Sequence, residues 1–198
     1  MDGLVHWPGG GPVLRFVRTL RRPLDEVWER LVDPRRLAEW PGPTVVEPVV
    51  GGRVYLELTE LVGSGELGGP LEGRVRRLVT SHLLEHSCTG RSMGDGGVRW
   101  CLTRWGRGTR LVLHHRVTTR TDLSRLLAGW HLRLDLLLVS FELGRTVWLP
   151  DRYERLRRHY AEAATARPWA GCGVLAGGSA PAASARPAGA GRLQQEIG

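Results

Sequence analysis

Apolar residues recur at steps of four and three along Leu123, Leu127, Trp130, Leu134, Leu137 and Phe141, which places them on one stripe of a long α-helix. Asp122 or Thr121 suits its start and Gly144 its end. Upstream the period changes to two. Val13 to Leu20 alternates, with Leu14 and Phe16 on one face, and Arg53 to Thr59 alternates with Val54, Leu56 and Leu58 on one face. Gly73 and Val75 begin a further inward set on a strand that runs to about Val79. Leu84, His86 and Cys88 share a face of the next strand; Val98, Trp100 and Leu102 follow, and Leu111, Leu113 and His115 close the series. Gly51-Gly52, Gly94 to Gly97 and Trp105 to Gly108 are turn and hairpin signals between these runs. Two helical segments interrupt the strands: Leu24 to Val32, opened by Pro23 and the acids Asp25 and Glu26, and a turn opened by Asp33-Pro34 and stopped by Pro41-Gly42-Pro43.

The pattern predicts an α+β fold, with about six or seven antiparallel strands curved around one long C-terminal helix. Residues 1 to 12, rich in Gly and Pro, are expected to be a flexible N-terminus, and residues 13 to 163 one domain. Within it, Pro150 to Ala163 reads as a short helical extension with Tyr153, Leu156 and Tyr160 on its apolar face. Residues 164 to 198 lose periodicity and are rich in Ala, Gly and Pro, which predicts a disordered tail.

Composition narrows the classes. A chain of 198 residues is long enough for one real core. Its formal net charge is +8, but every basic residue is Arg and none is Lys, so genome composition accounts for much of the Arg content. No nucleic-acid reading motif or single basic helix face accompanies the charge, and nucleic acid is not an expected partner. Cys88, Cys101 and Cys172 have neither metal-ligand nor redox spacing, so no metal or cofactor is expected. Met1 to Pro8 lacks the regions of a signal peptide. The long helix carries Arg125, His131, Arg133, Asp135 and Glu142, too many charges for a membrane span. A cytoplasmic protein is the expectation.

Several phrases carry a family likeness. Arg18 to Trp28, then Asp33-Pro34 and Trp40, resembles the opening of START-like helix-grip (SRPBCC) proteins, and the nearest look is to the bacterial Aha-type chaperone-ATPase-activator homologues and polyketide-cyclase-like proteins. Gly51-Gly52-Arg53, Leu83 to His86, Gly108 to His115, and Ala128 to His131 with Leu134-Asp135 resemble that family's hairpin, later strands and terminal helix. A Trp is usual in the family at the position of Cys88, and the change reshapes the inner face. The resemblance implies a sheet wrapped around the helix and an apolar cavity between them. It also implies a range of activities, from carriers to aromatase/cyclases, so the fold alone does not fix function.

The inward residues supply the candidate binding site. Leu56 and Leu58, Val75, the Leu84–His86–Cys88 set, Trp100 with Leu102, and Leu113 with His115 would face Trp130 and Leu134 of the helix. Mostly apolar with a few polar handles, such a lining suits binding or sequestration of a small apolar or aromatic molecule, lipid- or polyketide-like. Trp40 would stand at the cavity mouth, opposite Gly63 to Pro70. The ordinary alternative for all of these is a filled core. His86 and His115 are the weak catalytic candidates, as general acid or base of a cyclase- or dehydratase-like enzyme; no partner carboxylate is fixed by the sequence, and the enzyme is the less favoured reading. A third reading is a co-chaperone or regulatory protein, with a protein partner or a homodimer using the Tyr153 to Tyr160 helix.

Overall fold

The period-two segments pair into one antiparallel sheet. A computed structural model describes residues 2–40, 44–56, 71–90, 95–118, 122–143 and 150–166. Its strands are β1 (Leu4–His6), β2 (Val13–Leu20), β3 (Thr44–Val46), β4 (Arg53–Leu56), β5 (Leu71–Val79), β6 (Leu83–Cys88), β7 (Gly96–Trp105) and β8 (Gly108–Val117). Their order across the sheet is β1-β2-β8-β7-β6-β5-β4-β3. Turns are cut where glycine allows them: Gly51 before β4 and Gly106 between β7 and β8 have φ of 85° and 57°, a region that costs glycine little. Two short helices, α1 (Leu24–Val32) and α2 (Pro34–Leu37), follow β2. Asp33 caps α2, its side chain accepting from the amides of Arg35 and Arg36, with Pro34 preset for the first turn.

The long helix is α3 (Leu123–Leu143). Asp122 starts it, Oδ1 accepting from the Ser124 amide at 2.9 Å. The expected stripe is only part of its buried surface. Trp130, Leu134 and Leu137 are buried, and so are Leu126, Leu132, His131 and Leu136 from other sides. The reason is α4 (Pro150–Ala166), which packs on α3 and covers the flank that the stripe left open. Tyr153 and Tyr160 of α4 are buried in that contact.

The sheet has eight strands rather than six or seven, and the additional edge strand lies in the segment expected to be loose. β1 pairs with β2, Val5 opposite Leu14. Behind it Gly3 is held tightly: its N–H donates to the Tyr160 hydroxyl at 2.8 Å, and a Cβ there would lie 2.3 Å from the Phe16 ring. Three residues flanked by glycine and proline are too few to display a period, which is why the pattern does not reveal them. Gly63 to Pro70, Pro41-Gly42-Pro43, Gly144 and most of the expected tail lie outside the described residues.

Candidate functional site

Register sets the inner face. Across β6, β7, β8 and β2 one row reads His86, Val98, His115 and Leu14, and the next reads Leu84, Trp100, Leu113 and Phe16. Over these rows lies Trp130 of α3. Its ring meets Trp100 edge-on at 5.5 Å and His115 at 5.9 Å, and Trp100 in turn meets Trp40 at 6.4 Å. Edge-to-face contacts at these distances are the favoured arrangement of aromatic quadrupoles.

The polar atoms on this face are few and specific. Trp130 Nε1–H donates to His115 Nδ1 at 2.9 Å. His115 Nδ1 is therefore an acceptor, and in the neutral ring the proton sits on Nε2. That Nε2 is buried and has no hydrogen-bond partner among the described residues. His86 shows the other tautomer: its Nδ1 donates to the Ser87 carbonyl at 2.8 Å, leaving Nε2 as an acceptor. Burial dominates the ionisation of both. It holds His86 down at about 4 and His115 at about 3, so both are neutral at ordinary pH. The Cys88 thiol is pushed up to about 12 by burial first and then by Asp95, which removes the thiolate that nucleophilic chemistry requires.

Nine of the ten expected lining residues besides the histidine pair can be placed. Leu56, Val75, Leu84, Cys88, Trp100, Leu102, Leu113, Trp130 and Leu134 all belong to one buried cluster, and Leu58 lies outside the described residues. Trp40 is not at a rim: it is 2% exposed, its Nε1–H donates to the Arg30 carbonyl at 2.7 Å, and its ring packs on Trp100. Its position just before Pro41-Gly42-Pro43 suggested the cavity mouth, but the indole reaches back to the Arg30 carbonyl of α1.

Two polar features escaped the sequence reading. Arg133 is 3% exposed, with its guanidinium 5.6 Å from the Trp130 ring centroid. Burial lowers it to about 10, partly offset by Cys88 and Tyr153, so it remains a buried cation beside the inner face. The second feature is a buried network where α3, α4 and β2 meet. The His131 Nδ1 is 2.8 Å from the Tyr160 hydroxyl, its Nε2 is 3.7 Å from Asp135, and Asp135 also pairs with Arg152 and Arg18. Both features sit off the apolar stripe, and only the covering helix α4 buries the second. Among the described residues no group of His, Cys, Asp and Glu is placed to hold a metal ion, and no described helix is long and apolar enough to cross a membrane.

An antiparallel sheet laid against one long helix is the architecture of the helix-grip class. The chain belongs to the family described as "Activator of Hsp90 ATPase homolog 1-like protein", whose profile matches residues 21–142. Among curated proteins no sequence match reaches significance. Solved structures agree on the fold. CalU16 from Micromonospora echinospora superposes with a TM-score of 0.63 at 22% identity, covering 83% of this chain and 96% of that one. DynU16, a protein of the dynemicin biosynthetic locus, gives 0.58 at 23% identity, over 72% of this chain and 51% of its own. The Aha1 dimer from Colwellia psychrerythraea gives 0.56 at 15% identity, over 68% of this chain and 98% of that one.

Proposed function

We propose that this protein binds or sequesters a small, largely apolar or aromatic molecule between the sheet and α3, with a ligand carbonyl or hydroxyl set against His115 and His86. The observation that carries this reading is the His115 Nε2–H, a buried donor without a partner among the described residues in an aromatic surround. A buried donor left unsatisfied costs about 1–3 kcal/mol, and a ligand acceptor would relieve it. His86 Nε2 offers the complementary acceptor two strands away. Leu84, Leu113, Trp100 and Trp130, already buried in the protein, would form the apolar walls, and desolvation of the ligand's own apolar surface would supply the affinity, at roughly 25 cal/mol per Å2. Membership of the helix-grip class supports the reading, and the place of DynU16 in a biosynthetic locus suits a natural-product-like ligand, polyketide-like among them.

The enzyme reading fares less well on the same atoms. A general base works best with a pKa near the working pH, whereas both rings titrate far below it. Neither ring is hydrogen-bonded to a carboxylate among the described residues. For the co-chaperone reading, the aromatic face of α4 is already used against α3, so a partner would meet the charged outer side of α4. A homodimer of this chain is compatible with the dimeric Aha1 relative. Native mass spectrometry of the protein from its own cells tests the binding reading. A stoichiometric apolar adduct is expected. No adduct there, and none after exposure to a panel of aromatic and polyketide-like compounds, would overturn it.

A further inference from the structure

The opposite face of the sheet holds a second feature. A depression of about 960 Å3 opens there, bounded by β1 and the turn after it on one side and by β6 and β5 on the other. Its walls follow from register. One outward row reads Glu85, Arg99, His114 and Arg15 across β6, β7, β8 and β2, and the next reads Ser87, Gly97, Arg116 and Val13. Gly97 has no side chain, so the second row is interrupted at its centre and a floor is left. A bulge between Val75 and Arg77 breaks the β5 register and turns Arg76 outward, its Nη1 4.0 Å from where a Gly97 Cβ would lie. Trp7, 44% exposed, stands on the rim.

The charge of this depression is lopsided. Arg15, Arg76, Arg99 and Arg116 line it against Glu85 and Asp95. Glu85 is committed to Arg99 at 2.8 Å. Among the described residues no carboxylate lies within ion-pair distance of Arg15, Arg76 or Arg116. Neighbouring like charges on paired strands destabilise a sheet, and a concave, partly desolvated surface concentrates their field. His114 registers that field: burial first, then Arg15, Arg99 and His6, push its imidazole below the usual range.

We propose that this outer-face depression, floored by Gly97 and walled by Arg15, Arg76 and Arg116, is a binding site for a small polyanion, a ligand with adjacent negative charges on phosphate or carboxylate groups. Guanidinium forks match both oxyanions in geometry. The volume falls within the range of small-molecule sites, and Arg15, Arg76, Arg99 and Arg116 all border this one depression. The site is separate from the inner face and stands whether or not an apolar ligand binds there.

Titration calorimetry of the full chain tests it, with pyrophosphate and citrate as separate probes; the one that binds identifies the phosphate or carboxylate source. Saturable one-to-one binding that weakens with added salt is expected. Arg15→Gln with Arg116→Gln should weaken it by about tenfold or more. Arg104→Gln with Arg107→Gln removes the same charge from the β7–β8 hairpin end and should leave it unchanged. Gly97→Leu keeps every charge and fills the floor. A Cβ there meets the His86 carbonyl at 3.7 Å, an ordinary contact, so folding should survive and binding should be lost. No binding of either anion, equal losses in the two arginine pairs, or wild-type binding by Gly97→Leu would each overturn the proposal. So would a single-stranded oligonucleotide that binds more tightly than either anion and still binds Gly97→Leu.

Discussion

At the scale of residues, the inner histidines couple stability to pH. Both are depressed in the fold, to about 4 and 3 against the usual 6.5. Above pH 6.5 both rings are neutral whether the chain is folded or not, and their contribution is fully present. Below that value the unfolded chain takes up protons that the fold refuses. Stability then falls by about 1.4 kcal/mol per pH unit for each ring, until the folded values are passed. Urea unfolding between pH 7 and pH 5 should show this slope, and His115→Phe should make it shallower by one ring's share. An unchanged slope in that variant would mean His115 is not neutral and buried as described. Trp130→Phe is a second test. It removes the donor to His115 Nδ1, and the stranded acceptor together with lost packing should cost about 2–4 kcal/mol by urea unfolding.

At the scale of elements, α4 is the piece whose role is easiest to mistake. Read alone, it is a polar helix with a modest apolar face. In the fold its Tyr160 hydroxyl accepts from the Gly3 amide and contacts His131, joining the N-terminus, α3 and α4. Tyr160→Phe should therefore lower stability by about 1–3 kcal/mol. Hydrogen exchange should locate the loss at β1 and α4, leaving the centre of the sheet protected. Gly3→Ala tests the same junction by steric means. Its Cβ would meet the Phe16 ring at 2.3 Å and a Leu127 methyl at 2.7 Å, and overpacking of that kind costs roughly 1–3 kcal/mol. A thermal midpoint equal to wild type for Gly3→Ala would show that the N-terminal segment is not docked as described.

At the scale of the whole molecule, the sheet works as a partition. The face toward α3 is apolar and aromatic apart from buried groups such as Arg18 and Arg133, and the outer face carries Arg15, Arg76, Arg99 and Arg116, so one layer of backbone separates two chemistries. Alternation along β6, β7, β8 and β2 achieves this directly, because neighbours in sequence point to opposite faces. Leu84, His86, Trp100 and His115 were legible as inward from that alternation, and the long helix from its steps of four and three. The same alternation placed His114 outward, where it lies.

What the sequence determined by itself is thus every element long enough to show a period, which leaves out β1, and the side of the sheet that the residues of those strands occupy, since both depend on local period and on burial of apolar area. It also carried the family likeness that the profile match bears out. What only the tertiary structure decided depends on which strands and helices meet. Register across four strands put His86 and His115 in one row and drew Arg15, Arg99 and Arg116 around Gly97. The packing of α4 on α3 turned His131 and Asp135 from surface residues into a buried network, and the return of the indole of Trp40 into the core closed an expected rim. Period is a property of a few consecutive residues, whereas these juxtapositions join positions far apart in the chain, and no local pattern encodes which distant partner will cover a given face.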